Sequence, residues 1–136
     1  MKILAINPGS TSTKIAVFDD LILKYDKTFR HSVDDLAPYN SIIEQYQFRR
    51  DVIIDFLNEQ NDSADSIDVF VGRGGLVKPI PGGVYKVSES LLRDLRQGVM
   101  GEHASNLGGI LAFEISKSVG KQAKSYIVDP VVVDEL

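Results

Sequence analysis

The sequence predicts an α/β domain built on a mixed sheet. Three observations carry this. Residues 3–29 hold three apolar or β-branched runs separated by short polar stretches, the spacing of an antiparallel meander. From Ser32 onward, helical periodicities alternate with short strand-like runs. The last clear element, Lys124 to Val128, is again a strand pattern, closed by Asp129-Pro130.

Taken in order, Ile3-Leu4-Ala5-Ile6 and Ile15-Ala16-Val17-Phe18 read as buried strands, with Asn7 to Lys14 as the loop between them. Asp19-Asp20 reads as a turn and Leu21 to Phe29 as a third, weaker strand. Ser32 is a candidate N-cap, with Asp35 three residues on to close a capping box. Ser41 to Gln60 has helical spacing, with a break expected near Gln47–Arg49. Ile67 to Val71 alternates as a strand and ends at Gly72-Arg73-Gly74-Gly75. Val84 to Val87 is a short strand. Ser88 caps a helix running to about Gln97, and a further helix spans about Ala104 to Val119 with Gly120 as its stop.

At 136 residues the chain fits one domain or half of a larger enzyme. A net charge of −4 with no basic patch argues against nucleic acid as a partner. There is no cysteine, which excludes disulfides and thiolate chemistry. The segment Met1 to Ile6 is too short for a secretory h-region, and no stretch approaches a membrane span. A cytoplasmic protein is expected.

Four places have residues suited to phosphate chemistry. In Asn7-Pro8-Gly9-Ser10-Thr11-Ser12-Thr13-Lys14, Gly9 lets backbone approach a ligand closely. Hydroxyls, amide N–H groups and Lys14 then offer donors to an anion. This is not a Walker A loop, because Lys14 leads into a strand rather than a helix. Arg73, between glycines past a strand end, suits bidentate binding of a carboxylate or phosphate. His103 lies just before a predicted helix, where partial positive charge gathers. Asp129, directly after the last strand, is placed to hold Mg²⁺ through water and phosphate oxygens. Read singly, each residue also fits an ordinary turn, cap or surface position. Together they match what phosphoryl transfer needs, which is mostly positioning and charge neutralisation. His31 has no motif around it and is assigned no role.

These segments, with Gly101-Glu102-His103-Ala104-Ser105-Asn106-Leu107-Gly108-Gly109 and Val128-Asp129-Pro130-Val131-Val132-Val133-Asp134-Glu135, resemble the butyrate kinase branch of the acetokinase family. The resemblance covers essentially the whole chain. It implies an actin-like, ribonuclease H-like half-fold and transfer of the ATP γ-phosphate to a short-chain carboxylate, with ATP and Mg²⁺ as cofactors. By resemblance, Asn7, Gly9, Ser10, Thr11, Ser12 and Lys14 lie near the transferred phosphate, with Asn7 and Asp129 near the metal. Arg73 would hold the substrate carboxylate, His103 would stabilise the phosphoryl group, and Asp129 would orient Mg²⁺ or the reacting carboxylate. Family members are roughly two and a half times this long, a size fitting two domains. Residues 1–136 are therefore expected to form the N-terminal acetokinase-type domain without the nucleotide-binding one, inactive alone and self-associating as a homo-oligomer. Two other readings stay open: a non-catalytic binding or interaction domain on the same half-fold, and a kinase for branched-chain or propionate-type acids.

Overall fold

A computed structural model describes residues 1–73, 84–86, 106–119 and 124–128. The chain opens with β1 (Lys2–Pro8), β2 (Ser12–Asp19) and β3 (Ile22–Arg30), a continuous antiparallel meander. Helix α1 (Val33–Leu36) follows, then a 3₁₀ turn at Ile43–Gln45 leading into α2 (Tyr46–Glu59). After a second 3₁₀ turn at Ala64–Ser66 come β4 (Val69–Arg73), β5 (Val84–Lys86), α3 (Asn106–Ser118) and β6 (Lys124–Val128). The six strands form one sheet in the order β3-β2-β1-β4-β6-β5. β1, β4 and β6 are mutually parallel, while the two outer pairs are antiparallel, giving the mixed sheet.

Side chains alternate across the sheet, so each strand has one face toward the helices. On that face β1 buries Leu4 and Ile6, β2 buries Thr13, Ile15 and Val17, β4 buries Phe70, and β6 buries Ile127. Helix α2 adds Ile53 and Leu57, and α3 adds Leu107, Ile110, Leu111 and Ile115, making one core. β3 is the outer edge and mostly exposed. Tyr25 and Phe29 hold it to α2, each meeting Phe56 edge to face, with ring centroids 5.9 and 5.3 Å away.

The local chemistry read from the sequence forms as expected at Ser32. Its hydroxyl accepts from the Asp35 amide at 3.0 Å, and Asp35 accepts from the Ser32 amide at 2.9 Å. These bonds hold the Asp35 carboxyl below its usual range. Beyond the end of α2 the chain turns at Asn61, whose φ of 59° is the left-handed conformation that asparagine tolerates. The turn brings Asp62 under the sheet edge. There its carboxylate meets Lys2 Nζ at 2.6 Å, Lys24 Nζ at 3.0 Å and the Tyr25 hydroxyl at 2.8 Å.

Three expectations need correction. The loop of the first hairpin is shorter than read: β1 extends through Asn7 and Pro8, and β2 starts at Ser12, so only Gly9, Ser10 and Thr11 lie outside the ladder. Polar side chains do not prevent ladder pairing, which uses only backbone groups. β4 lies two residues later than read, so Arg73 is its last residue rather than a loop residue. The break before α2 falls at Gln45 rather than at Gln47–Arg49, as a 3₁₀ turn running into the helix. The Ser88–Gln97 helix lies outside the described residues.

Candidate functional site

The sheet register puts three of the singled-out residues in one row. Asn7 on β1 is paired with Lys14 on β2. Ile6 is in register with Gly72 on β4, so Arg73 lies one step further along, level with Asn7. Lys14, Asn7 and Arg73 are all exposed. They lie on the sheet face opposite α2 and α3, because their neighbours Thr13 and Gly72 are buried on the helix side. The next row down the same face is Ala16, Ala5 and Val71, in register. These six residues, with Ile6 and Ile15, line a cavity of about 380 Å³. A row of two cations and an amide above a floor of small apolar side chains suits a ligand with an anionic head and a short hydrocarbon body.

The hairpin above this row is held from behind. Arg49 projects from α2 and is completely buried. Its Nη1 donates to the carbonyls of Gly9 at 2.7 Å and Ser12 at 2.8 Å, and to Thr13 Oγ1 at 3.3 Å. Its Nη2 donates to the Ser10 carbonyl at 3.1 Å, and Nε and Nη2 both reach Gln45 Oε1, at 3.1 and 2.8 Å. Burial pushes the guanidinium down to about 10, so it stays charged at neutral pH. Among the described residues no carboxylate pairs with it.

His31, given no role by the sequence, belongs to the same cluster. Its Nε2 lies 2.8 Å from Thr13 Oγ1, and its ring meets Phe48 edge on at 5.1 Å between centroids. Thr13 Oγ1 accepts from Arg49 and shares a second hydrogen bond with His31 Nε2, whose direction follows the imidazole tautomer. Burial, then the charge of Arg49, lowers the His31 pKa, consistent with a neutral ring. Thr13 thus faces the helices and not a ligand, contrary to the reading of four hydroxyls aimed at an anion. Ser10 and Thr11 are exposed and Ser12 is half-buried. The amides of Ser10 and Thr11 donate to no protein acceptor among the described residues.

Arg49 was findable. Gln45, Arg49, Ile53 and Leu57 recur every four residues and are all buried, so Arg49 continues the apolar stripe of α2. His103 and Asp129 lie outside the described residues, as do Gly74 and Gly75. No group of three or more His, Asp or Glu placed to hold a metal occurs among the described residues. No helix among them is long and apolar enough to cross a membrane.

No protein-family model matches the chain. It is 55% identical over 135 residues to butyrate kinase 1 of Clostridium acetobutylicum and 56% identical to butyrate kinase 2 of the same organism. Both matches cover 99% of this chain, but only 38% and 37% of those enzymes. Among solved structures, acetate kinase from Entamoeba histolytica superposes with a TM-score of 0.55 at 17% identity, covering 98% of this chain and 35% of that one. At that identity the structural likeness establishes the fold, which is the actin-like fold. The chain is homologous to the N-terminal part of the butyrate kinases.

Proposed function

We propose that this chain is the N-terminal half of a carboxylate kinase that transfers the ATP γ-phosphate to a short-chain carboxylate, butyrate first among them. The carrying observation is the Lys14, Asn7, Arg73 row above the Ala5, Ala16, Val71 floor. In the reaction a carboxylate oxygen attacks the γ-phosphorus, the bond to the β-phosphate bridging oxygen breaks, and acyl phosphate and ADP leave. Both reactants are anions, so the cost of bringing them together must be offset by fixed positive charge. Arg73 grips the carboxylate and Lys14 neutralises the phosphoryl oxygens. Asn7, the Ser10 and Ser12 hydroxyls and the Ser10 and Thr11 amides donate to the same oxygens.

The described donors fit an anion better than a bare cation, since Asn7 offers one neutral oxygen between two positive side chains. Mg²⁺ would arrive with the nucleotide, and its chemistry is to neutralise phosphate charge. Asn7 and Asp129 are the residues proposed to meet it. His103, by the resemblance, hydrogen-bonds the phosphoryl group. The reading also places the protein in the cytoplasm, where ATP is available, and as a homo-oligomer.

The test is butyrate-dependent acyl phosphate formation with Mg-ATP, trapped as the hydroxamate, by residues 1–136 joined to the remaining part of the enzyme that the butyrate kinase relatives carry. Arg73→Ala is expected to lower kcat/KM for butyrate about 10- to 150-fold, the loss of a charge-assisted contact worth about 1.5–3 kcal/mol. Arg73→Lys should recover little, because lysine lacks the planar fork. The thermal melt should not move, since Arg73 is exposed. Unchanged butyrate kinetics in Arg73→Ala would take it out of the substrate site, and a wild type without acyl phosphate would end the reading.

A further inference from the structure

Arg49 does more than fill space. The loop from Gly9 to Ser12 turns three carbonyls toward one guanidinium on the helix side of the sheet. Lys14 and Asn7 emerge on the opposite side. A backbone that commits its carbonyls in one direction frees its amides for another. The Ser10 and Thr11 amides are the ones without a protein acceptor among the described residues. Burying a cation without a carboxylate costs several kcal/mol unless hydrogen bonds offset it. Here three carbonyls, the Gln45 amide oxygen and the Thr13 hydroxyl accept from it. Among the described residues its charge stays unneutralised behind the loop, where an anion bound in front would complete it.

We propose that Arg49, oriented by Gln45, is the positioning residue of the anion-binding hairpin: it fixes the Gly9, Ser10 and Ser12 carbonyls inward so that the Ser10 and Thr11 amides face the transferred phosphate. This rests on the kinase reading for its consequence, though not for its geometry. Lysine at this position keeps the charge, but its compact ammonium lacks the fork that spans separate carbonyls. Removing the Gln45 acceptor leaves Nε without its partner and Nη2 with the Ser10 carbonyl alone, which loosens the guanidinium against the loop.

The experiment compares wild type, Arg49→Lys and Gln45→Met by two readouts, amide spectra of this chain and turnover of the same chain joined to the remaining part of the enzyme that the relatives carry. In amide NMR spectra, the Gly9, Ser10 and Thr11 signals should shift and exchange faster, while those of β4 and β6 stay. In the hydroxamate assay kcat should fall by up to roughly 100-fold, the scale of a 1 Å misplacement. KM for butyrate should stay within about twofold, because Arg73 is untouched. If Arg49→Lys fails to fold, Gln45→Met decides alone. Unmoved loop amides, or a moved loop with unchanged kcat, would overturn the proposal. A wild type that makes no acyl phosphate removes the kinase reading, and the amide spectra then still decide the role of Arg49.

Discussion

Gly72→Ala is expected to destabilise the protein by at least about 3 kcal/mol, as a severe overpacking substitution. The reason is a backbone-to-backbone contact between β4 and the first turn of α3. A Cβ on Gly72 would overlap the Gly108 carbonyl and lie 2.7 Å from the Gly109 nitrogen. A Cβ on Gly108 would in turn overlap the Arg73 carbonyl and sit 3.1 Å from the Arg73 nitrogen. No flexible side chain is available to give way on either side, so the helix itself must lift from the sheet. Gly108→Ala gives the sharper reading because its sign is diagnostic. In a free helix, glycine to alanine stabilises by about 1 kcal/mol. At this position it should destabilise by about 2 kcal/mol or more. Urea unfolding of both single variants and the double variant checks this. The double variant should cost less than the sum, since one displacement of α3 accommodates both methyls. A stabilised Gly108→Ala would mean that α3 does not touch β4 as described. Because Arg73 adjoins the contact, these variants should also disturb the Lys14, Asn7, Arg73 row, whereas Arg73→Ala should leave the fold intact.

The meander, the Ser32 capping box and β6 were legible because each is local: a run of alternating residues, a cap at fixed offset, a short apolar run. The resemblance to the butyrate kinases was legible from motifs that did not need the fold. The site was legible in parts. Asn7, Lys14 and Arg73 were each named, but what unites them is register across three strands, which one sequence does not display. The hairpin was read too long because Asn7, Pro8, Ser12 and Thr13 have turn-like side chains, while ladder pairing depends on their backbone. Arg49 was hidden by its neighbour: Arg49-Arg50 looks like a solvated charged face. In the helix the two residues are 100° apart, so Arg49 enters the core while Arg50 stays partly exposed, its guanidinium 5.5 Å from the Tyr46 ring centre. His31 gave no signal, since its partners Thr13 and Phe48 come from β2 and α2.

Asp62→Asn should cost roughly 2–3 kcal/mol at neutral pH without touching the candidate site. The Asp62 side chain is 3% exposed, while those of Lys2 and Lys24 are 24% and 45% exposed. Burial alone would raise the Asp62 pKa. Hydrogen bonds from Lys2, Lys24 and Tyr25 outweigh it and bring the carboxyl down to about 2. Against an unfolded value of about 3.9, a depression of this size corresponds to roughly 2–3 kcal/mol favouring the folded state. The sign follows from proton binding: between these two pKa values the unfolded chain binds more protons than the folded one. The contribution is therefore complete above about pH 4 and disappears as pH falls toward 2. Asparagine keeps an acceptor for Tyr25 but removes the charge. Asp62→Ala also loses that acceptor and should cost about 1 kcal/mol more. Lys24 is exposed enough to turn to water, so most of the residual strain falls on Lys2, at the start of β1. Asn7 lies near the far end of that strand, so butyrate kinetics should be unchanged. Urea unfolding of wild type and Asp62→Asn between pH 7 and pH 2 should show two stabilities that converge as acid is added. Curves that stay parallel over that range would show that the Asp62 carboxylate contributes nothing to holding β1, β3 and the end of α2 together.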